Sequence, residues 1–347
     1  MVLAAAALAP FAGRAPWPGP AGAAEGERAA APALLVPPPP YLQAKSAALV
    51  DLETGRLLFA QAAFERHPPG SLAKVAAALT ALAGAHPGEA ARIGLPAAPA
   101  SGGENGGPGG PRVPGPAGEE ELTLGDLVRL MLYRRDPGAA AALALHRSGS
   151  EAAFAAEMNR TVQRLGATGT LLYDPEGADP RNRSTAFDLA LIAREAMRHA
   201  YFAQVAGAVR ARLTRQGQSR VIVNVNSFLS RRPGATGVKS DYTPEVGYSL
   251  IAAEERGGRR LLAVIVGAPG PTERLHDAVG VLEYGFAHLE ALRSEPQVPR
   301  ERYVVREGDT LTGVANRFHV PVAAILNLNP IDDPDHLRAG EVLWIPR

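Results

Sequence analysis

The chain contains no cysteine. Disulfides, a thiol nucleophile, cysteine-ligated zinc and a lipid-modified cysteine are therefore excluded. Lysine is nearly absent too. Of 36 basic residues only Lys45, Lys74 and Lys239 are lysine, and the rest are arginine. With a net charge of +1, no strong overall field draws the protein to nucleic acid or to an anionic membrane. Beyond the N-terminus, no apolar run is long enough to span a bilayer. The eight histidines show no metal-site spacing, so neither a metal nor another cofactor is expected. The glycine-rich stretch at 102–110 lacks a following Lys-Ser/Thr and reads as a loop, not a phosphate cradle.

What is present is enough for one large domain and a small one: 347 residues, 46% apolar and 20% charged. Residues 2–12 are apolar, and Ala21-Gly22-Ala23 resembles a cleavage site, so 1–23 read as a signal peptide lacking its charged start. Residues 24–40, ending in four prolines, read as an extended tether. A large domain over 41–293, a linker over 294–302 and a compact module over 303–347 complete the expected order.

Within the large domain, Ser46–Asp51 and Arg56–Gln61 alternate like strands around a Glu-Thr-Gly turn. Pro68-Pro69-Gly70 halts the chain, and Ser71 opens an Ala/Leu-rich helix to about Gly84. Residues 96–118 are almost all Gly, Pro, Ala and Ser and read as a surface loop. Thr123-Leu124-Gly125-Asp126 is a capping-box pattern for a helix ending near Tyr133. Further helices are expected from Pro137 to His146, over Glu151–Leu165 and after Ser184-Thr185. From Gly237 the pattern turns to strands, with Val246–Glu254 and Leu261–Gly267 joined as a hairpin. One long helix should cover Thr272–Leu292. This order implies an α+β domain, helices packed on an antiparallel sheet.

Ser71-Leu72-Ala73-Lys74 carries a possible chemistry. Residues i and i+3 share a helix face, so the lysine amine can reach the serine hydroxyl. A serine needs a base to become a nucleophile, and an amine held neutral by burial can be that base. A helix N-terminus adds backbone N–H groups and positive potential where an oxyanion would form. For the tetrapeptide alone, a common pattern, Ser71 as a plain N-cap is the stronger reading.

The surroundings favour the chemical reading. Ala48-Leu49-Val50-Asp51 through Thr54-Gly55 to Leu58, then Pro69-Gly70-Ser71-Leu72-Ala73-Lys74-Val75, resemble the low-molecular-weight penicillin-binding proteins. These are D-alanyl-D-alanine carboxypeptidases of serine peptidase family S11, with a β-lactamase/transpeptidase-like fold. The likeness continues through Gly149–Asn159, Ser184–Ala193, Asn224-Val225-Asn226 and Gly237–Ala252.

The family works through S-x-x-K, S-x-N and K-T-G motifs. The resemblance implies Ser71 as nucleophile, Lys74 as base and Lys239 in the third motif. Ser240 and Tyr242 would bind substrate, and the backbone N–H groups of Ser71 and Tyr242 would form the oxyanion hole. Two motifs depart from the pattern. The third reads Lys239-Ser240-Asp241, which puts bulk and negative charge near an anionic substrate. Arg135-Asp136-Pro137 stands where S-x-N is expected, so Arg135 and Asp136 are substrate-site candidates in place of serine and asparagine. The function implied is hydrolysis of peptidoglycan stem peptides. The alternative is a degenerate wall-binding scaffold; a β-lactamase is a third reading, without an identifiable deacylating glutamate.

Tyr303–Leu311 resembles the opening of a LysM module in βααβ order, closed by Val342–Ile345. The resemblance implies a groove for N-acetylglucosamine-containing glycan at Gly308, Asp309, Thr310 and Leu311 and at Asn329 and Pro330. Asp309 or Thr310 should cap the first helix. Trp344, in an apolar strand, is expected in the core rather than stacked on ligand. The expected partner is peptidoglycan, with no nucleic acid and no integral membrane segment apart from the signal peptide. The expected location is extracytoplasmic, at the wall.

Overall fold

A computed structural model describes residues 36–95, 118–133, 137–215, 218–329, 331 and 333–347. The expected signal peptide, most of the tether, nearly all of the Gly/Pro loop, and Arg135, Asp136 and Pro330 lie outside the described residues.

The central sheet contains β1 (Ser46–Asp51) and β2 (Leu57–Gln61) from the start of the domain. It continues with β7 (Ala235–Thr243), β8 (Gly247–Arg256) and β9 (Arg259–Ala268). Their order is β2-β1-β9-β8-β7, antiparallel throughout, with β7 on an edge. Strand alternation sends Ala48, Val50, Ile251, Ala253, Leu262 and Val264 into one core. Ala47, Leu49, Leu250, Ala252, Leu261 and Ala263 enter a second core on the other face. A sheet buried on both faces reads as continuous apolar runs, which is how Leu261–Gly267 appears in the sequence.

The first core lies under α1 (Lys74–Leu82), α2 (Leu124–Tyr133), α3 (Pro137–Ser148), α4 (Glu151–Arg164), α5 (Ala186–Arg198) and α6 (Ala200–Gly207). The second lies under α8 (Pro271–Ala287) and α9 (Leu289–Ser294), with the short α7 (Phe228–Arg231) beside it. The capping box forms as expected: Thr123 Oγ1 accepts from Asp126 N at 3.1 Å, and Asp126 Oδ2 accepts from Thr123 N at 3.3 Å. The single long helix expected over Thr272–Leu292 is broken. His288 leaves helical geometry at φ −122° and ψ 21°, re-aiming the chain so that α9 buries Leu289 and Leu292.

Two ribbons escaped the sequence reading. One is β3 (Ala90–Leu95) with β4 (Gly118–Thr123), which flank the Gly/Pro loop. The other is β5 (Arg210–Arg215) with β6 (Gln218–Val223). Both are rich in charged or small residues and lack the apolar alternation that marks a strand.

The C-terminal module is βααβ: β10 (Arg300–Val304), α10 (Leu311–Phe318), α11 (Val322–Leu328) and β11 (Val342–Pro346). Tyr303, Val305, Leu311, Val314, Ile325, Leu343 and Ile345 form its core. Trp344 does not join them. Alternation along β11 buries Leu343 and Ile345 and leaves Trp344 40% exposed, with the Arg300 guanidinium 5.1 Å from its ring centroid. The core expectation failed because parity within the strand, not apolarity, decides which face a residue takes.

The module is also docked. Asn327 Oδ1 accepts from Leu57 N at 2.6 Å, and Asn327 Nδ2 donates to Gly55 O at 3.1 Å. Ala324 and Leu328 of α11 pack into the first core of the large domain. The connecting segment contributes too: Gln297 pairs with β2 through Leu58 O and Ala60 N.

Candidate active site

Ser71 sits in a single 3-10 turn, Gly70–Ala73, that runs directly into α1. Pro69 ends the preceding extended segment, and Gly70 turns the chain with φ +54°. A side chain at Gly70 has no room: a Cβ there would lie 2.2 Å from Asp241 Oδ2. Ser71 itself is half-buried. Lys74, one helical turn on, is 2% exposed. Among the described residues no carboxylate pairs with the Lys74 amine.

A loop braces the turn from behind. Gly177 packs on Gly70 so closely that a Cβ would come within 1.8 Å of Gly70 O. Its shape is set by Asp174. One carboxylate oxygen accepts from the N–H groups of Glu176, Gly177 and Ala178 at 2.7, 2.7 and 3.1 Å. The other accepts from Asp179 N at 2.6 Å and Asn182 Nδ2 at 2.7 Å. Burial raises the Asp174 pKa, but the hydrogen bonds from Asn182 and the backbone outweigh it and hold the carboxyl below its ordinary range.

Edge strand β7 faces the same turn. Alternation puts Lys239 and Asp241 on the side of the helices. Lys239, 1% exposed, donates through Nζ to Leu132 O at the end of α2, at 2.9 Å. Asp241, 4% exposed, reaches the nucleophile turn: its Oδ2 accepts from Ser71 N at 2.7 Å. Ser240 is 7% exposed, and Tyr242 stacks on Tyr248 with centroids 4.5 Å apart. Arg274 of α8 donates to Asp241 O at 3.2 Å and to Ser249 O at 3.4 Å, tying the strand to the second helical layer. The sequence reading missed Arg274, because a lone arginine 33 residues beyond the motif carries no local signal.

The structure therefore brings Ser71, Lys74, Lys239, Ser240, Asp241 and Tyr242 to one strand–helix junction. One expectation needs correction. The resemblance implies the Ser71 backbone N–H as an oxyanion donor. It exists, but the Asp241 carboxylate already accepts from it, so the changed side chain acts on the backbone donor directly.

In the C-terminal module Thr310 is the cap, its Oγ1 accepting from Gly313 N at 3.0 Å. Asp309 instead accepts from Arg306 N at 2.8 Å and from the Tyr303 hydroxyl. Gly308 and Thr310 are exposed, and Leu311 is buried. The Asn329 side chain is committed to the strand, donating to Trp344 O and accepting from Trp344 N, each at 2.7 Å. Gly308 and Thr310 thus lie at the surface, while the Asp309, Thr310 and Asn329 side chains hold the module's shape.

Among the described residues no group of three His, Asp or Glu is placed to hold a metal ion, and no helix is long and apolar enough to cross a membrane.

Comparisons with known proteins agree with this layout. The sequence model of the D-alanyl-D-alanine carboxypeptidase family matches residues 34–270, and that of the LysM domain matches 303–346. The chain is 28% identical over 250 residues to the D-alanyl-D-alanine carboxypeptidase DacF of Bacillus subtilis, covering 72% of this chain and 63% of that protein. It is 36% identical over 149 residues to DacB2 of Mycobacterium tuberculosis, covering 41% of this chain and 51% of the relative. These matches span less than two thirds of either relative's length. Among solved structures, a D-alanyl-D-alanine carboxypeptidase from Mycobacterium tuberculosis superposes with a TM-score of 0.61 at 30% identity. That match covers 72% of this chain and 93% of the other. The Streptomyces K15 DD-transpeptidase gives a TM-score of 0.62 at 24% identity, covering 72% and 99%, a likeness of fold.

Proposed function

The chain belongs to the D-alanyl-D-alanine carboxypeptidase family and carries a LysM domain, and from that premise we propose that Ser71 is the nucleophile of a peptidoglycan-directed acyl transfer whose resting state Asp241 holds closed. Ser71 Oγ attacks the carbonyl carbon of the penultimate D-alanine while the Lys74 amine takes its proton. The C–N bond then breaks, and terminal D-alanine leaves as the amine with a proton returned to its nitrogen. Water hydrolyses the ester and restores the Ser71 hydroxyl. Lys239 and Ser240 orient the terminal carboxylate beside Tyr242, and Arg135 and Asp136 take the substrate-binding part of the second motif in place of its serine and asparagine. The LysM loop at Gly308–Thr310, facing the segment that follows Asn329, holds N-acetylglucosamine-containing glycan and keeps the protein at the wall, outside the cytoplasm.

One observation carries the closed resting state: the 2.7 Å hydrogen bond from Ser71 N to Asp241 Oδ2. A carboxylate there takes the donor that the oxyanion needs and repels both the oxyanion and the substrate's own carboxylate. Acylation proceeds only when Asp241 swings away. The same contact also favours a second reading, a wall-bound scaffold whose serine never reacts.

Labelling with a fluorescent penicillin separates the two. The enzyme reading expects weak labelling of the wild-type protein, none of Ser71→Ala and strong labelling of Asp241→Gly. No label on either the wild type or Asp241→Gly would leave only the scaffold. The LysM assignment is tested by retention on insoluble peptidoglycan, which Asp309→Ala with Thr310→Ala should reduce; unchanged retention would remove the groove from the proposal.

A further inference from the structure

A net charge of +1 conceals an uneven distribution. Residues 196–240 contain eight lysines and arginines and not one aspartate or glutamate. The β5–β6 ribbon lies in the middle of this stretch. Among the described residues it forms a two-stranded sheet with no third strand. Its inner face is packed, with Leu213 and Ile222 each 4% exposed. The register places Arg210 opposite Val223 and Arg212 opposite Val221 on the outer face, and Val225 follows two residues beyond the end of β6. Val221, Val223 and Val225 are 61%, 58% and 50% exposed. With the adjoining Val209, the ribbon holds four of the twelve large apolar side chains exposed among the described residues. Such clustering marks an interaction surface, since scattered single exposures are the ordinary case.

Charge selects the partner's sign. Arg198 and Arg232, elsewhere in the stretch, pair with Glu195, Glu254 and Glu283. Among the described residues no carboxylate pairs with Arg210 or Arg212. The valines select its texture. A water-soluble polyanion would satisfy the arginines and leave three half-exposed β-branched side chains in water. A surface that is anionic at its face and apolar beneath satisfies both.

We propose that the outer face of the β5–β6 ribbon is a docking surface for an anionic lipid bilayer, with Arg210 and Arg212 on the headgroups and Val221, Val223 and Val225 entering the interface. The base of the ribbon is tied to the catalytic corner. Asn224 N donates to Val209 O at 2.9 Å, and Val225 N donates to Tyr133 O at 3.1 Å, one residue past the Leu132 carbonyl that holds Lys239. Docking would thus set the height of the Ser71 cleft above the bilayer.

The test is sedimentation of the full chain with vesicles of phosphatidylcholine alone or mixed with phosphatidylglycerol, no peptidoglycan being present. Wild-type protein is expected to sediment with the anionic vesicles and to be released by salt. Arg210→Gln with Arg212→Gln should weaken partitioning by about 25-fold, roughly fivefold per arginine. Val221→Ser with Val223→Ser should weaken it by roughly tenfold. These side chains are exposed, so both variants should melt like the wild type; a variant that does not is replaced by Val225→Ser. Equal binding to both vesicle types, or variants that bind like the wild type, would overturn the proposal. If only the arginine variant loses binding, the ribbon reads negative charge without acyl chains, and the lipid assignment fails.

Discussion

The catalytic corner and the LysM module both rest on a helix start stabilised by a side-chain oxygen, yet the oxygens come from different distances. In the LysM module Thr310 caps the helix it precedes, three residues from the N–H it satisfies. In the catalytic corner Ser71 N–H is satisfied by Asp241, 170 residues away on an edge strand. A local cap serves the helix alone. A cap delivered by another element also occupies the space in front of the helix, where substrate chemistry would take place. The same kind of hydrogen bond is thus structural in one region and, on the proposed reading, inhibitory in the other.

The sharpest way to break that contrast is Asp241→Gly. Freeing one oxyanion donor should raise the rate of acylation at Ser71 by about 10²–10³, read from the time course of fluorescent penicillin labelling. A rate equal to wild type would mean that the Ser71–Asp241 contact does not limit reaction.

Next is the seam between the regions. Leu328 belongs to the LysM helix but packs into the large domain's core. Leu328→Ala should therefore cost about 2–4 kcal/mol and lower the melting temperature of the penicillin-labelled domain along with that of the module. If the domain's own transition stays put, the seam contributes nothing to its stability.

Acid–base behaviour sharpens the comparison further. Asp188, at the start of α5, is fully buried, and desolvation pushes its carboxyl up to about 6 despite hydrogen bonds from Thr170, Thr185 and Gly169. Because the folded pKa exceeds the unfolded value of 3.8, its contribution is fully present below about 4 and is lost as pH rises through about 6. The large domain should lose roughly 2–3 kcal/mol between pH 4 and 7 from this group. Asp188→Asn should flatten that dependence in thermal melts across the range. An unchanged profile would assign the titration elsewhere. The smallest effect is the local one: Thr310→Ala should cost about 1 kcal/mol, confined to the module and without effect on labelling at Ser71.

How much was legible follows the same division. The Thr123–Asp126 capping box, the Thr310 cap and the β1–β2 hairpin all involve residues within about a dozen positions, and each was readable. The single helix over Thr272–Leu292 failed because a bend at His288 depends on what α9 must bury. Trp344 failed because apolarity says that a residue is in a strand, not which face it takes. The β5–β6 ribbon was invisible because its outer face alternates arginine with valine on opposite strands, a pattern that appears only once the strands are paired.

By itself, then, the sequence determined the family, the α+β order of elements, the Ser71-x-x-Lys74 motif as the candidate site, and the LysM module, because these rest on short-range spacing and local hydrogen bonding. Only the tertiary structure decided that the Ser71 N–H is capped by Asp241, that the LysM helix shares a core with the large domain, and that two arginines and two valines meet on one ribbon face. Each of those depends on which strand edge or face a residue occupies after the chain has closed loops of tens to hundreds of residues, and no local pattern encodes that.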